Sequence, residues 1–148
     1  MIRIAFLFIL SIAICGCKTY SDEDKRSFDK QIREYLSTKK RSFKRSSSGL
    51  YYEILDQGYG KDILYTDKVT FTYKGYFLNG DVFDEQKKPV EFEVRHLIGA
   101  WKEAMVLLKP GGKIHMIAPP QLCYGERDLD DIPPNSILVY ELEVTGVE

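Results

Sequence analysis

Cysteine and histidine are scarce in this chain: three Cys and two His in 148 residues. Two of the cysteines, Cys15 and Cys17, close an N-terminal apolar run, which leaves Cys123 as the thiol of the folded part. One cysteine makes no internal disulfide, so an oxidising compartment would leave no mark on the fold. With no Cys-His pairing in view, Cys123 reads as a small buried filler and not a nucleophile. His96 and His115 stand at no metal-ligand spacing, and His115 is expected on the outward, solvated face of its strand. Gly111-Gly112 follows a helix instead of opening one, which excludes a phosphate-cradling loop. The carboxylates sit in loops or on outward strand positions, so no paired acid/base site is suggested. Hydrolysis, metal chemistry and nucleotide binding are all poorly served by such a set.

Long apolar runs are also missing. Ile4–Ile14 is the longest, eleven residues interrupted by Ser11 and too short to span a bilayer. Arg3 precedes it and Ile14-Cys15-Gly16-Cys17 follows, so residues 1–16 are expected to be a signal peptide. A Cys directly after a small residue at such a boundary resembles a bacterial lipobox. Cys17 is therefore the expected lipidation site and mature N-terminus, whereas Cys15 follows Ile14, which is not small. A lipid anchor implies a membrane partner. Lys18 supplies no acidic retention signal, which points to the outer membrane of a cell envelope, on its periplasmic face or at the cell surface.

Charge is divided along the chain. Residues 18–48 carry ten Lys/Arg against five Asp/Glu, a balance of +5, while residues 49–148 carry ten against seventeen, a balance of −7. An acidic domain on a basic tether argues against nucleic acid as a partner.

The tether, residues 17–48, has two parts. Ser21 precedes Asp22-Glu23-Asp24, a possible cap and acidic first turn, and Phe28, Ile32, Tyr35 and Leu36 follow at helical spacing. A helix over 22–38 is expected, either docked loosely on its own domain or mediating a weak dimer of an otherwise monomeric protein. Lys39–Ser48 has too little apolar content to pack and reads as a linker.

The domain, residues 49–148, opens with a strand over Gly49–Leu55. Val69, Phe71 and Tyr73 alternate with Thr70, Thr72 and Lys74, the period of a half-buried strand. Leu78-Asn79-Gly80-Asp81 is a tight turn into a partner strand at Val82-Phe83, because Asn and Gly tolerate positive φ. Glu85–Lys88 reads as a loop before a strand over Val90–Val94. Leu97–Leu108 suits a helix stopped by Pro110-Gly111-Gly112. Strands follow at Lys113–Ala118 and Leu138–Val144. Short strands around a single helix argue an α+β fold with an antiparallel sheet.

Aromatics, 13% of the chain, recur at inward positions: Tyr73, Phe83, Phe92, Trp101, Tyr124 and Tyr140. Tyr and Trp need partners for their polar atoms when buried and so favour half-open sites. Gathered beside Asp84, they would wall a hollow.

The segments V-T-F-T-Y-K-G, V-F-D, L-I-G-A-W, P-P-Q-L-C-Y-G and I-P-P-N-S-I-L-V-Y-E-L-E-V resemble, in order and at near-family spacing, the FKBP-type peptidyl-prolyl cis–trans isomerases. The likeness runs from about Gly49 to the C-terminus. It implies an antiparallel half-barrel of about five strands curled on one short helix, with a pocket that receives a proline ring. It also implies roles. Trp101 would be the floor, Tyr73, Phe83 and Tyr140 the walls, and Asp84 the rim carboxylate. Tyr124 would offer its hydroxyl to a ligand carbonyl. Leu97 and Ile98 would precede the helix, with the Ile98 N–H bonding substrate, and Ile132 would be the aliphatic flap. Val90 and Phe92 complete the substrate-binding set; Val90 stands where the family often has phenylalanine, and the acidic loop 126–131 is slightly short.

Such a site suits rotation about the X–Pro bond, whose barrier of about 18–20 kcal/mol comes from amide resonance. The twisted amide has lost that resonance and is less polar, so a dry aromatic pocket favours it. Neither metal nor cofactor is required. The implied partners are proline-containing segments of client proteins. A non-catalytic proline-peptide binding module or chaperone of the same fold remains the alternative.

Overall fold

The computed structural model describes residues 20–148. The expected leader and the lipidation site Cys17 lie outside the described residues.

Helix α1 (Asp22–Ser37) begins as its sequence dictates. The Ser21 side chain accepts from the Asp24 N–H, and the Asp24 carboxylate reaches back to the Ser21 N–H, a reciprocal cap. The sheet then runs β1 (Lys44–Arg45), β2 (Tyr51–Asp56), β3 (Lys68–Phe77), β4 (Val82–Glu93), β5 (Lys113–Ala118) and β6 (Leu138–Val147), with the short helix α2 (Gly99–Met105) before β5. The six strands form one antiparallel sheet in the order β1-β2-β5-β6-β3-β4.

The β3–β4 turn is built as its residues predict. Gly80 has φ 96°, the Asp81 N–H donates to Asn79 Oδ1 at 3.0 Å, and Phe77 N–H closes the turn on the Asp81 carbonyl at 2.9 Å. Beyond it, the expected loop at Glu85–Lys88 is instead part of one continuous strand. The ladder passes from Tyr73 opposite Gln86 to Phe71 opposite Val90, so a bulge absorbs Lys87–Pro89. Pro89 has no N–H to give, which an edge strand tolerates.

The sheet buries both faces. On the concave side α2 lays Ala100, Trp101, Ala104 and Met105 against Phe71, Met116, Leu138, Tyr140 and Leu142. Two alanines let the helix approach closely. On the convex side α1 lays Phe28 and Ile32 against Tyr51, Ile117 and Val139, with Tyr35, Leu36 and Phe43 at the margin.

This second layer corrects three expectations. The apolar stripe of α1 is covered by its own sheet and is not a free face for a partner. Residues 39–48 are not an unpacked linker, since Lys44 and Arg45 pair with Tyr52 and Tyr51 and Phe43 packs edge-on to His115 at 5.2 Å. His115 does lie on the outward face, but it is 5% exposed because that face is roofed over. Its Nε2 meets the Tyr76 hydroxyl at 2.9 Å, and Nδ1 has no partner among the described residues. Burial lowers the His115 pKa, so the neutral ring is favoured.

A buried carboxylate ties the layers together. Asp29 accepts from the Tyr51 hydroxyl (2.8 Å), from Arg45 Nε (2.7 Å) and from the Arg33 guanidinium. Burial acts to raise its pKa, but the bonds from Tyr51, Arg33 and Arg45 prevail and hold it below the usual carboxylate range.

Candidate functional site

The concave face gathers rings from four elements. Trp101, on α2, is 9% exposed and meets three neighbours: Tyr73 of β3 at 4.6 Å, Tyr140 of β6 at 5.2 Å and Phe71 of β3 at 5.4 Å. The last two contacts are close to perpendicular, the edge-to-face arrangement that ring quadrupoles favour. Phe83 of β4 stands edge-on to Tyr140 at 5.8 Å and leans on Phe77 at 5.1 Å. Trp101 and Tyr140 are buried while Tyr73, Phe83 and Tyr124 are half-buried, so the group has a floor and a rim.

Gly75 makes this convergence possible. It sits opposite Asp84 on one side and Tyr140 on the other. A Cβ at this position would come within 2.5 Å of the Phe83 ring and 3.0 Å of Tyr140. Only a residue without a side chain lets Phe83 fold across β3.

The polar atoms are few. At the rim the Tyr73 hydroxyl donates to Asp84 Oδ2 at 2.5 Å, and Asp84 is itself exposed. Burial, reinforced by this bond, raises the Tyr73 pKa, so the phenol stays protonated and fixed. On the floor, Trp101 Nε1 and the Tyr140 hydroxyl are buried without a hydrogen-bond partner among the described residues. Burial first, then the neighbouring Cys123 and Tyr124, push the Tyr140 hydroxyl far above a phenol's ordinary range. The Cys123 thiol is likewise pushed up by burial, which keeps it an inert thiol. Among the described residues no group of His, Cys, Asp and Glu could hold a metal ion.

Leu97 is buried and Ile98 is the extended N-cap of α2. The Ile98 carbonyl accepts from Lys102, and its N–H finds no acceptor among the backbone bonds of the described residues. Tyr124 follows a short 3₁₀ turn at Pro120–Leu122 and packs against the same core. Val90 is half-buried there too. One expected site residue is less enclosed than expected. Phe92 lies on the same face as Phe71 and Val90, opposite the buried Val69, but on the edge strand it is 51% exposed and touches the group only through Phe71, at 6.2 Å. Ile132 is buried in the main core, on a small loop closed by bonds between Leu129 and Ile132. Phe71, Gly75 and Phe77 support the rings and were not singled out from sequence, although a glycine inside an alternating strand is itself a signal of close approach.

The arrangement is therefore a cluster of rings on one face, with a tyrosine–carboxylate pair at its edge, a second phenol beside it and a backbone N–H that has no backbone acceptor among the described residues.

Known proteins resemble the chain in sequence and fold. The sequence pattern of the FKBP-type peptidyl-prolyl cis-trans isomerases matches residues 60–145. FkpA of Escherichia coli K12, an FKBP-type peptidyl-prolyl cis-trans isomerase, is 35% identical over 128 residues, covering 84% of this chain and 47% of FkpA. A probable FKBP-type peptidyl-prolyl cis-trans isomerase of Haemophilus influenzae is 39% identical over 134 residues, covering 88% of this chain and 55% of the relative. The chain thus spans about half the length of these relatives. The crystal structure of Escherichia coli FkpA superposes with a TM-score of 0.75 at 35% identity, over 85% of this chain and 60% of that one. By sequence pattern and by fold, this chain belongs to the FKBP-type peptidyl-prolyl cis-trans isomerase family.

Proposed function

We propose that the chain catalyses cis–trans isomerisation of X–Pro bonds in exported or envelope proteins. One observation carries this reading: Tyr73, Phe83, Trp101 and Tyr140 meet in one cluster of rings, read here as the walls and floor of a hollow, with the Tyr73–Asp84 bond at its lip. A prolyl ring seated on the Trp101 indole would hold its preceding amide among these rings, largely out of water. The planar amide is the more polar species, because resonance places negative charge on its oxygen. Rotation removes that resonance, so an apolar surround favours the twisted form. The Ile98 N–H and the Tyr124 hydroxyl would hold the flanking carbonyls and keep the two ends of the peptide from turning together. About 5–6 kcal/mol off the barrier corresponds to roughly 10⁴-fold.

A proline-peptide assay with a conformer-specific protease tests the reading. Wild-type chain should accelerate the slow phase, and the Trp101→Ala, Tyr124→Phe double variant should lose most of that gain; equal rates from the two would refute it. The second reading is binding without turnover, favoured by the half-buried Val90, which makes one wall aliphatic. Peptide binding with no acceleration would select it.

The anchoring reading places a lipid on Cys17, three residues before Tyr20, with the protein in the cell envelope and at its outer membrane. With the α1 stripe covered, a monomer is the favoured state. Support for an envelope setting comes from the apolar leader-like run and the Gly16-Cys17 boundary. Membrane fractionation of wild type and Cys17→Ser checks it: the variant should move to the soluble fraction, and an unchanged distribution would contradict lipidation.

A further inference from the structure

A second groove of about 530 Å³ adjoins the hollow and shares two of its residues, Ile98 and Tyr124. Its other side is formed by Tyr20 and Lys25 at the start of α1, facing Gln121 and Arg127. Tyr20 and Lys25 lie outside the span matched by the family pattern. The Tyr20 wall is fixed at both edges: its hydroxyl donates to Asn135 Oδ1 at 2.6 Å, and its ring stands edge-on to Phe28 of α1 at 5.3 Å. The opposite wall is fixed as well, because the Asn135 N–H donates to the Gly125 carbonyl at 2.8 Å.

Two polar groups of its lining residues have no partner among the described residues. Gln121 Oε1 is buried and unbonded, and the Ile98 N–H points to no backbone acceptor. A buried acceptor without a donor is costly, on the order of 1–3 kcal/mol, unless something supplies one. An extended peptide supplies both kinds of group at every residue, an N–H for Gln121 and a carbonyl for Ile98.

We infer that this groove is a flanking subsite that takes a few residues of extended substrate chain next to the prolyl bond, and that α1 supplies one of its walls. The helix thus has a use beyond roofing the sheet. It lengthens the binding site, so the chain selects peptides by their length and main chain as well as by their proline. The inference rests on the proposed isomerase reading of the hollow.

The test compares a blocked tetrapeptide with a decapeptide carrying the same central X–Pro bond, using the processed chain. The decapeptide should show about a tenfold lower KM at similar kcat, equivalent to about 1.4 kcal/mol. Its titration should move the amide resonances of Tyr20, Lys25 and Gln121, whereas the tetrapeptide should move only those of the hollow. In the Tyr20→Ala, Lys25→Ala double variant, and separately in Gln121→Ala, the ratio of the two KM values should fall from about ten towards one. Equal KM values in the wild type, or variants that leave the ratio intact, would overturn the subsite while leaving the isomerase standing. Failure to accelerate either peptide would sink the isomerase reading and the subsite with it.

Discussion

At the scale of single residues, the site depends on one missing side chain and one indole. Gly75 lets Phe83 lie across β3, and any Cβ there meets the ring at 2.5 Å. Gly75→Ala is therefore expected to displace Phe83 and cost about 1–3 kcal/mol, as overpacking does. Thermal unfolding should show the loss, together with weaker peptide binding. Trp101 contributes differently, through ring contacts at 4.6 and 5.2 Å and an indole N–H that nothing accepts among the described residues. Trp101→Leu keeps an apolar side chain but loses the flat face and part of the volume, and kcat/KM on a proline peptide should fall by about tenfold or more, with each 1.36 kcal/mol of lost stabilisation giving a factor of ten. A variant with wild-type kcat/KM would show that the indole is only core packing.

At the scale of elements, α1 and the segment after it are structural members of the domain. Ile32 is fully buried beneath the sheet's convex face, so Ile32→Ala should cost about 2–4 kcal/mol in denaturant unfolding. A cost under about 0.5 kcal/mol, the scale of ordinary surface substitutions, would mean that the helix is not docked in solution. His115 makes the same layer sensitive to acid. Its folded pKa is lowered by burial, so the native state holds the neutral ring while the unfolded chain takes up a proton near pH 6.5. Stability from this residue is thus complete above about pH 6.5 and is lost as pH falls towards the folded value, at no more than about 1.4 kcal/mol per pH unit for one proton. His115→Phe should flatten the stability profile between pH 7 and 5 relative to wild type; parallel profiles would show that His115 is not the group responsible.

At the scale of the whole molecule, the sequence was most legible where one period governed one face. Alternation in β3, β5 and β6 located the concave core, and the family-like segments around Tyr73, Phe83, Trp101 and Tyr140 located the hollow, because local pattern and packing agree there. It was least legible where a face is buried by something distant in the chain. His115 and Val139 read as outward because period two assigns faces but cannot say that α1 covers one of them. Ile117 and Val139, apolar at outward positions, and the stripe on α1 were the two halves of that signal. Neither half alone showed that they meet. The continuous β4 was hidden by Pro89 and the charges around it, which a bulged edge strand accommodates. Phe92 keeps the face that alternation assigns to it but is half exposed, because β4 is the edge of the sheet and period two says nothing of what lies beside a strand.

The account as a whole rests on the hollow lowering the barrier to prolyl rotation, and exchange spectroscopy at equilibrium measures that directly. Cis and trans signals of a proline peptide should begin to exchange within the mixing time when a small amount of wild-type chain is added. With the Trp101→Ala, Tyr124→Phe variant at the same concentration, exchange should stay near the uncatalysed rate of tens to hundreds of seconds. Cis and trans signals that remain in slow exchange with the wild-type chain, under conditions where the peptide demonstrably binds, would contradict the account.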